Sequence, residues 1–333
     1  MDYPFQELPE AGTSLPVAPG VDWVRMPLPF ALDHVNVWLL AEDDGCTLVD
    51  TGIALSTVKA CWENLLENHR PRRLVVTHFH PDHLGLAAWL MERHDLPLIM
   101  TLGEYLTAHA AQKEFGGVGV AAMLAQFQRH GLDDTRHNAL VARGNAYARG
   151  VPDLPDSFTR IKDGETLLIG GRDWRVMTGY GHSPEHASLY CDELQVLISG
   201  DMLLPRISTN VSVFANLPDA DPLQDFLDSL QRLTALPENT LVLPSHGRPF
   251  RGLHQRVTQL AAHHAERCAT LLTSCSAPKS ACELLETLFP RELDTHQVQF
   301  AMGEAIAHLN HLEQAGSLKR VEGGDGICRF VKT

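Results

Sequence analysis

The chain has 333 residues, 44% hydrophobic and 20% charged, and its 27 Lys and Arg against 41 Asp and Glu leave a net charge of −14. That composition fits a soluble globular protein with room for two domains of about 150 residues each, and the acidic balance is a poor match to a polyanion such as nucleic acid. The 7 cysteines form no Cys-x-x-Cys pair, which argues against a disulfide framework or a separate structural zinc site and for a reducing, cytoplasmic setting.

In chain order, residues 1–20 are acidic and proline-bearing. They lack the basic start and apolar run of a signal peptide and read as an N-terminal extension. No later stretch approaches the ~18 apolar residues of a membrane helix. Strands are expected at 21–29, 35–40 and 46–49, with a turn at Glu42-Asp43-Asp44-Gly45. Ser56 is placed to cap a helix reaching His69, whose apolar face carries Val58, Trp62, Leu65 and Leu66. Residues 74–77 read as a buried strand that ends in His78-Phe79-His80-Pro81-Asp82-His83. Pro81 stops the strand, and Asp82 and His83 begin a helix that continues through Met91. A strand at 96–100 follows.

From 103 to 150 the pattern turns helical, with Val120, Met123, Leu124 and Phe127 at one-face spacing. Gly116-Gly117-Val118-Gly119 lacks the Lys and Ser/Thr of a phosphate loop and reads as a joint. This insertion either lids a site or packs on the scaffold. It carries none of the ligand-type residues named below, so those residues are expected to assemble without its side chains. Strands resume at 160–169 and 174–178, then a hairpin pairs 187–190 with 195–199 about Asp192-Glu193. A polar loop at 205–216, a helix at 222–236 and a strand at 240–243 complete this part. Past residue 251 come helices at 254–272, 280–288 and 298–312 and a hairpin at 318–331. His254, His263 and His264 read as exposed helix histidines, and Phe300, Ile306 and Leu309 as buried ones on the long helix.

The chemistry concentrates at one corner. Alternate strand side chains share a face, so His78 and His80 project together, and Asp82 and His83 join them across the strand-to-helix turn. Three imidazoles and a carboxylate suit a borderline divalent ion such as zinc. This His-x-His-x-Asp-His run resembles the metallo-β-lactamase fold superfamily, over roughly residues 20 to 250. The resemblance implies an α/β architecture, an αββα sandwich, with two divalent metals between its sheets. It assigns His78, His80 and His182 (in Gly181-His182-Ser183) to the first metal. Asp82, His83 and His246 (in Pro244-Ser245-His246-Gly247) fall to the second, with Asp201 (in Ser199-Gly200-Asp201) bridging. Asp50, in Leu48-Val49-Asp50-Thr51-Gly52, matches the family's first, non-liganding motif, and His186 either orients a neighbour or gives a proton.

The element order of the tail resembles a winged helix. It is similar to the branch that holds β-lactamase-like and glyoxalase II-like proteins, ribonucleases and thioesterases among them. The implied organisation is an extension at 1–20, a metal domain at 21–251 with the 103–150 insertion, and a winged-helix-like domain at 252–333. The implied reaction is hydrolysis of a small-molecule ester or thioester by hydroxide held between two metals, zinc first and iron or manganese as alternatives, with Asp82 orienting the nucleophile. The alternatives are a ribonuclease, a metal-binding regulatory protein of weak activity, and an iron redox enzyme. Against the ribonuclease, residues 252–333 carry 8 Lys and Arg beside 9 Asp and Glu, and 298–312 has no Lys or Arg. The apolar tail could also serve self-association into a homo-oligomer.

Overall fold

In the computed structural model of the chain, which describes residues 1–333, the apolar segments pair in the order in which they occur. Strands β1 (Ser14–Ala18), β2 (Val21–Pro27), β3 (His34–Glu42) and β4 (Gly45–Val49) form an antiparallel meander. Helix α1 (Ser56–Leu66) then returns the chain, so that β5 (Pro71–Val75) pairs parallel with β4. Helices α2 (Pro81–Leu84) and α3 (Ala87–His94) lead to β6 (Leu98–Met100). After helices α4 (Leu102–Lys113), α5 (Val120–Arg129), α6 (Asp134–Arg143) and α7 (Ala146–Gly150), the short β7 (Thr159–Arg160) completes a seven-stranded sheet. A second sheet has five strands: β8 (Thr166–Ile169), β9 (Arg172–Gly179), β10 (His186–Cys191), β11 (Val196–Gly200) and, beyond helix α8 (Pro222–Leu233), β12 (Leu241–Pro244).

The sheets face each other across one core. Trp23, Trp38, Val49 and Val75 from the first meet Trp174, Val176, Leu189, Ile198 and Leu243 from the second. Inward and outward residues alternate along each strand, which leaves the outer faces for helices, and α1 packs on β2 and α3 on β5. This is the αββα sandwich. Parallel pairing of β4 with β5 and of β11 with β12 brings the ends of these strands, and the loops that leave them, to one side. Loops at such ends carry the chemistry of layered folds.

Three local expectations change. Residues 14–18, grouped with the extension, form the edge strand β1; only Val17 in it is buried, so the apolar signal is faint. Ser56 does not cap α1: it is the first helical residue, and Leu55 precedes it with no side-chain cap. The helix expected through Met91 breaks after Leu84, because the Leu86 N–H donates to the Thr51 hydroxyl at 3.1 Å instead of continuing the helix. Gly85 is wedged there, and a Cβ would meet the Pro81 and Gly150 carbonyl oxygens at 2.4 and 2.6 Å.

By contact, the chain divides into residues 1–112, 147–209 and 229–257, which hold the sandwich, and residues 113–146, 210–228 and 258–333. The second unit gathers the middle of the insertion with the tail: α9 (Leu253–Ser274, from Thr258 on), α10 (Leu285–Leu288), α11 (Thr295–Gln314) and the hairpin β13 (Leu318–Glu322) and β14 (Cys328–Lys332). Helix α11 starts at a reciprocal cap between Asp294 and Gln297 and packs on α6, α10 and β13. On α5, Leu124 and Phe127 are buried while Val120 and Met123 are half-buried. Ile306 and Leu309 are fully buried as expected, but Phe300 stays 39% exposed. No helix is long and apolar enough to cross a membrane.

His264 overturns its expectation. It is buried, and its Nδ1 lies 3.1 Å from Nε2 of His308, whose own Nδ1 donates to the Glu304 carbonyl at 2.8 Å. Helix periodicity gave no sign of this, because the partner lies 44 residues away. Burial, with His308, His263, Arg267 and His311 close by, pushes His264 down to about 3, and burial pushes His308 and His130 down to about 4. These imidazoles are neutral in the fold and titrate near 6.5 once unfolded. Their stabilisation is complete above pH ~6.5 and is lost as pH falls toward 4, at up to ~1.4 kcal/mol per pH unit for each. Urea midpoints should therefore fall between pH 7 and pH 5, and the slope should shrink in a His264→Gln chain. Equal slopes in the two proteins would contradict this assignment.

Candidate metal centre

All seven ligand-type side chains of the sequence reading lie at one end of the sandwich, Asp82 and His83 on the short helix α2 and the other five on loops. His78, His80, Asp82 and His83 follow β5, His182 follows β9, Asp201 follows β11 and His246 follows β12. They fall into two groups, His78, His80, His182 and Asp201 in one and Asp82, His83 and His246 in the other, with the donor atoms of each group within 4.8 Å of one another. His78 Nε2 lies 3.0 Å from His80 Nδ1 and 3.3 Å from His182 Nε2. Donors on a tetrahedral ion with bonds of about 2.0–2.1 Å sit ~3.3 Å apart. Asp201 spans both groups. Its Oδ2 is 3.5 Å from His182 Nε2, and its Oδ1 is 3.6 Å from His83 Nε2 and 3.4 Å from His246 Nε2. Asp82 Oδ2 closes the second group at 3.6 Å from His83 and 3.4 Å from His246.

The donor set fits divalent ions on two further grounds. His83 Nε2 and Asp201 Oδ1 are buried without a hydrogen-bond partner, an arrangement that proteins avoid unless something else satisfies the atoms. The electrostatics also call for positive charge. Burial opposes protonation of His83, but Asp82, Asp50 and Asp201 outweigh it and hold the imidazole up to about 10. Burial likewise opposes ionisation of Asp201, yet His246 and His83 hold its carboxyl well below the usual range. His78 and His80 go the other way, pushed well down by burial and by their fellow histidines, and so present neutral nitrogen donors. Nitrogen and carboxylate oxygen donors suit zinc, iron and manganese alike.

Each ligand is aimed by a neighbour. Asp50 Oδ2 accepts from His83 Nδ1 at 2.8 Å, which leaves His83 Nε2 facing the group. The Asp50 Oδ1 accepts from the Thr77 N–H at 2.8 Å, and the Thr77 hydroxyl lies 3.0 Å from His78 Nδ1. Asp50 itself stands outside both groups and sits at φ 65°, a left-handed conformation that is rare outside glycine. His246 Nδ1 donates to the His34 carbonyl at 2.9 Å, and Gly247 N–H to His34 Nε2 at 2.9 Å. Asn36 donates to the Pro244 and Gly247 carbonyls at 2.7 and 2.9 Å and so pins the same loop. His186 is fully buried, lies outside both groups and accepts the Asp201 N–H on Nε2 at 3.1 Å. Gly200, at φ 54°, leaves room for that ring; a Cβ there would overlap His186 Nε2 at 2.2 Å.

Sequence reading missed Glu104, Tyr147, His34 and Asn36. Asn36 did leave a trace, a polar residue between Val35 and Val37 in a strand, whereas Glu104 left none. None of the seven ligand-type residues comes from the insertion at 103–150, but two of its side chains reach their loops. The Tyr147 hydroxyl donates to the Phe79 carbonyl at 2.8 Å, and Glu104 accepts the Phe79 N–H at 2.9 Å. Burial pushes the Glu104 carboxyl up to about 7, while the donors aimed at it fit the ionised form.

Residues 31–246 match the model of the Metallo-beta-lactamase superfamily, and residues 268–333 that of the Metallo-beta-lactamase-like, C-terminal domain. The chain is similar to a solved beta-lactamase domain protein from Burkholderia ambifaria, with 46% identity, a TM-score of 0.93, and coverage of 100% of this chain and 98% of that one. It is 26% identical over 307 residues to the probable metallo-hydrolase YqjP of Bacillus subtilis, covering 87% of this chain and 91% of that protein. It is 25% identical to a hydroxyacylglutathione hydrolase of Erwinia tasmaniensis, over 65% of this chain and 63% of that protein.

Proposed function

Since the chain belongs to the metallo-beta-lactamase superfamily and is a metallo-hydrolase, we propose that it cleaves an ester or thioester of a small acyl compound with two divalent ions, zinc first. The ions would be held by His78, His80 and His182 and by Asp82, His83 and His246, with Asp201 between them. The observation that carries this reading is the split of the Asp201 carboxylate, with Oδ2 at 3.5 Å from His182 and Oδ1 at 3.6 and 3.4 Å from His83 and His246.

Bound there, such ions lower the pKa of water and polarise a carbonyl oxygen. The side chains do the rest. His80 and Asp82 keep partial solvent exposure while His78, His83, His182, Asp201 and His246 are buried, so substrate meets the site on the side of His80 and Asp82. Asp82 is the partly exposed carboxylate of the set and orients the attacking water. His186, buried and accepting the Asp201 N–H on Nε2, holds the Asp201 loop in place.

Similarity to a hydroxyacylglutathione hydrolase, whose named substrate is an acyl thioester, supports the thioester class. The charge of residues 252–333, 8 Lys and Arg against 9 Asp and Glu, weighs against RNA. A panel of thioesters, esters, lactones, phosphodiesters and RNA tests the reading. Thioesters or esters should give the highest kcat/KM, RNA should stay intact, and RNA binding should be weak at ~150 mM salt. RNA cleavage exceeding acyl hydrolysis would replace this reading with the ribonuclease one.

A further inference from the structure

Glu104 stands in the first turn of α4, fully buried, at a position that belongs to neither ligand group. Its Oε2 accepts the Phe79 N–H at 2.9 Å. Its Oε1 accepts the Ser183 hydroxyl at 2.6 Å and the Glu185 N–H at 2.7 Å. Phe79 lies between His78 and His80, and Ser183 follows His182. One carboxylate therefore joins the two loops that carry all three histidines of the first group.

The link is reciprocal. Glu185 Oε2 accepts the Gly103 N–H at 2.7 Å, and the Glu185 carbonyl accepts the Thr101 hydroxyl at 2.8 Å. Gly103 packs so closely that a Cβ would lie 3.0 Å from Glu185 Cγ. On the other side of Phe79, Tyr147 takes the carbonyl at 2.8 Å, so both backbone polar groups of Phe79 are held by side chains. Burying a carboxylate carries a large desolvation cost, and well-packed apolar residues often stabilise a core as well or better. What a carboxylate adds is geometry, since it accepts from three donors on two loops at fixed angles.

We infer that Glu104 is a positioning residue for the first metal, its carboxylate setting the loop of His78 and His80 against the loop of His182 and so the spacing of their three nitrogens. The inference rests on the two-metal reading above. Glu104→Gln is the informative change. With its oxygen kept toward Ser183 and Glu185, its amide NH2 faces the Phe79 N–H, donor against donor, and only the tie to His78 and His80 is cut.

Zinc titration against a chromogenic chelator should resolve two affinities in the wild-type chain, and the one lost in His246→Ala identifies the second group. In Glu104→Gln the affinity of the first group should fall ~10–100-fold, the loss typical of residues that aim ligands. The second affinity and the melting temperature of the metal-free chain should hardly move. Tyr147→Phe, a milder cut at the same Phe79, should shift the first affinity in the same direction by less. Two unchanged affinities in Glu104→Gln, or two that fall together with the metal-free melting temperature, would overturn the inference. A single affinity in the wild-type chain would overturn the two-metal reading as well, and it would do so without any Glu104 substitution.

Discussion

Asp201→Ala should abolish most hydrolysis, with a loss of kcat/KM beyond the ~100-fold typical of a residue that only supports a ligand. Asp201 is the carboxylate that faces both groups. Its two oxygens lie 3.4–3.6 Å from the nitrogens of His182, His83 and His246. Removal takes an anionic donor from each group at once and leaves buried histidines with less negative charge to balance a dication. Two ions held close together repel, and a shared carboxylate is what offsets that repulsion. Metal content should fall below that of wild type alongside activity. Asp201→Ala protein within tenfold of wild-type kcat/KM, with full metal content, would remove Asp201 from the bridging role.

Asp50→Ala should be the most destabilising of the single changes considered, by ~3–5 kcal/mol in the metal-free chain, the usual loss when one partner of a buried ion pair is deleted. Asp50 is buried, its Oδ2 receives the His83 Nδ1–H at 2.8 Å, and its Oδ1 receives the Thr77 N–H at 2.8 Å. All of these donors lose their acceptor in the Ala chain. The backbone adds to the penalty: Asp50 sits at φ 65°, which Asn tolerates better than Ala. Asp50→Asn should therefore be the milder change in stability, yet it should still weaken the second group, because its amide no longer supplies the negative charge that orients His83. Urea unfolding of the metal-free proteins reads the first effect and zinc titration the second. An Asp50→Ala chain within ~1 kcal/mol of wild type would show that the Asp50–His83 contact does not support the fold.

The ligands were legible because their signal is local. His78 through His83 form a contiguous run just past a buried strand, which is enough to single them out, but the strand ends at Val75 rather than at Pro81, so the run lies on the turn and the start of α2 and not on an alternating strand. His182, Asp201 and His246 entered through resemblance, since nothing in their own neighbourhoods tells them apart from other polar loop residues. The supporting residues are less readable because their partners are distant in the chain. Glu104 meets Ser183 across 79 residues, and Asn36 meets Pro244 across 208. The break after Leu84 depends on the hydroxyl of Thr51, 35 residues from the amide it takes. Burial of His264 likewise depends on His308, on a different helix. Periodicity placed Leu124 and Phe127 on a buried face of α5, but it could not say that residues 113–146 share a unit with the tail, because a helix face does not name what covers it.

The most direct test of the two-metal account is the number of ions per chain, measured by elemental analysis of metal-replete protein after removal of loosely held metal. The account predicts two ions in the wild-type chain, and one in His246→Ala with His78, His80 and His182 intact. A single tightly held ion in the wild-type chain under metal-replete conditions would contradict it.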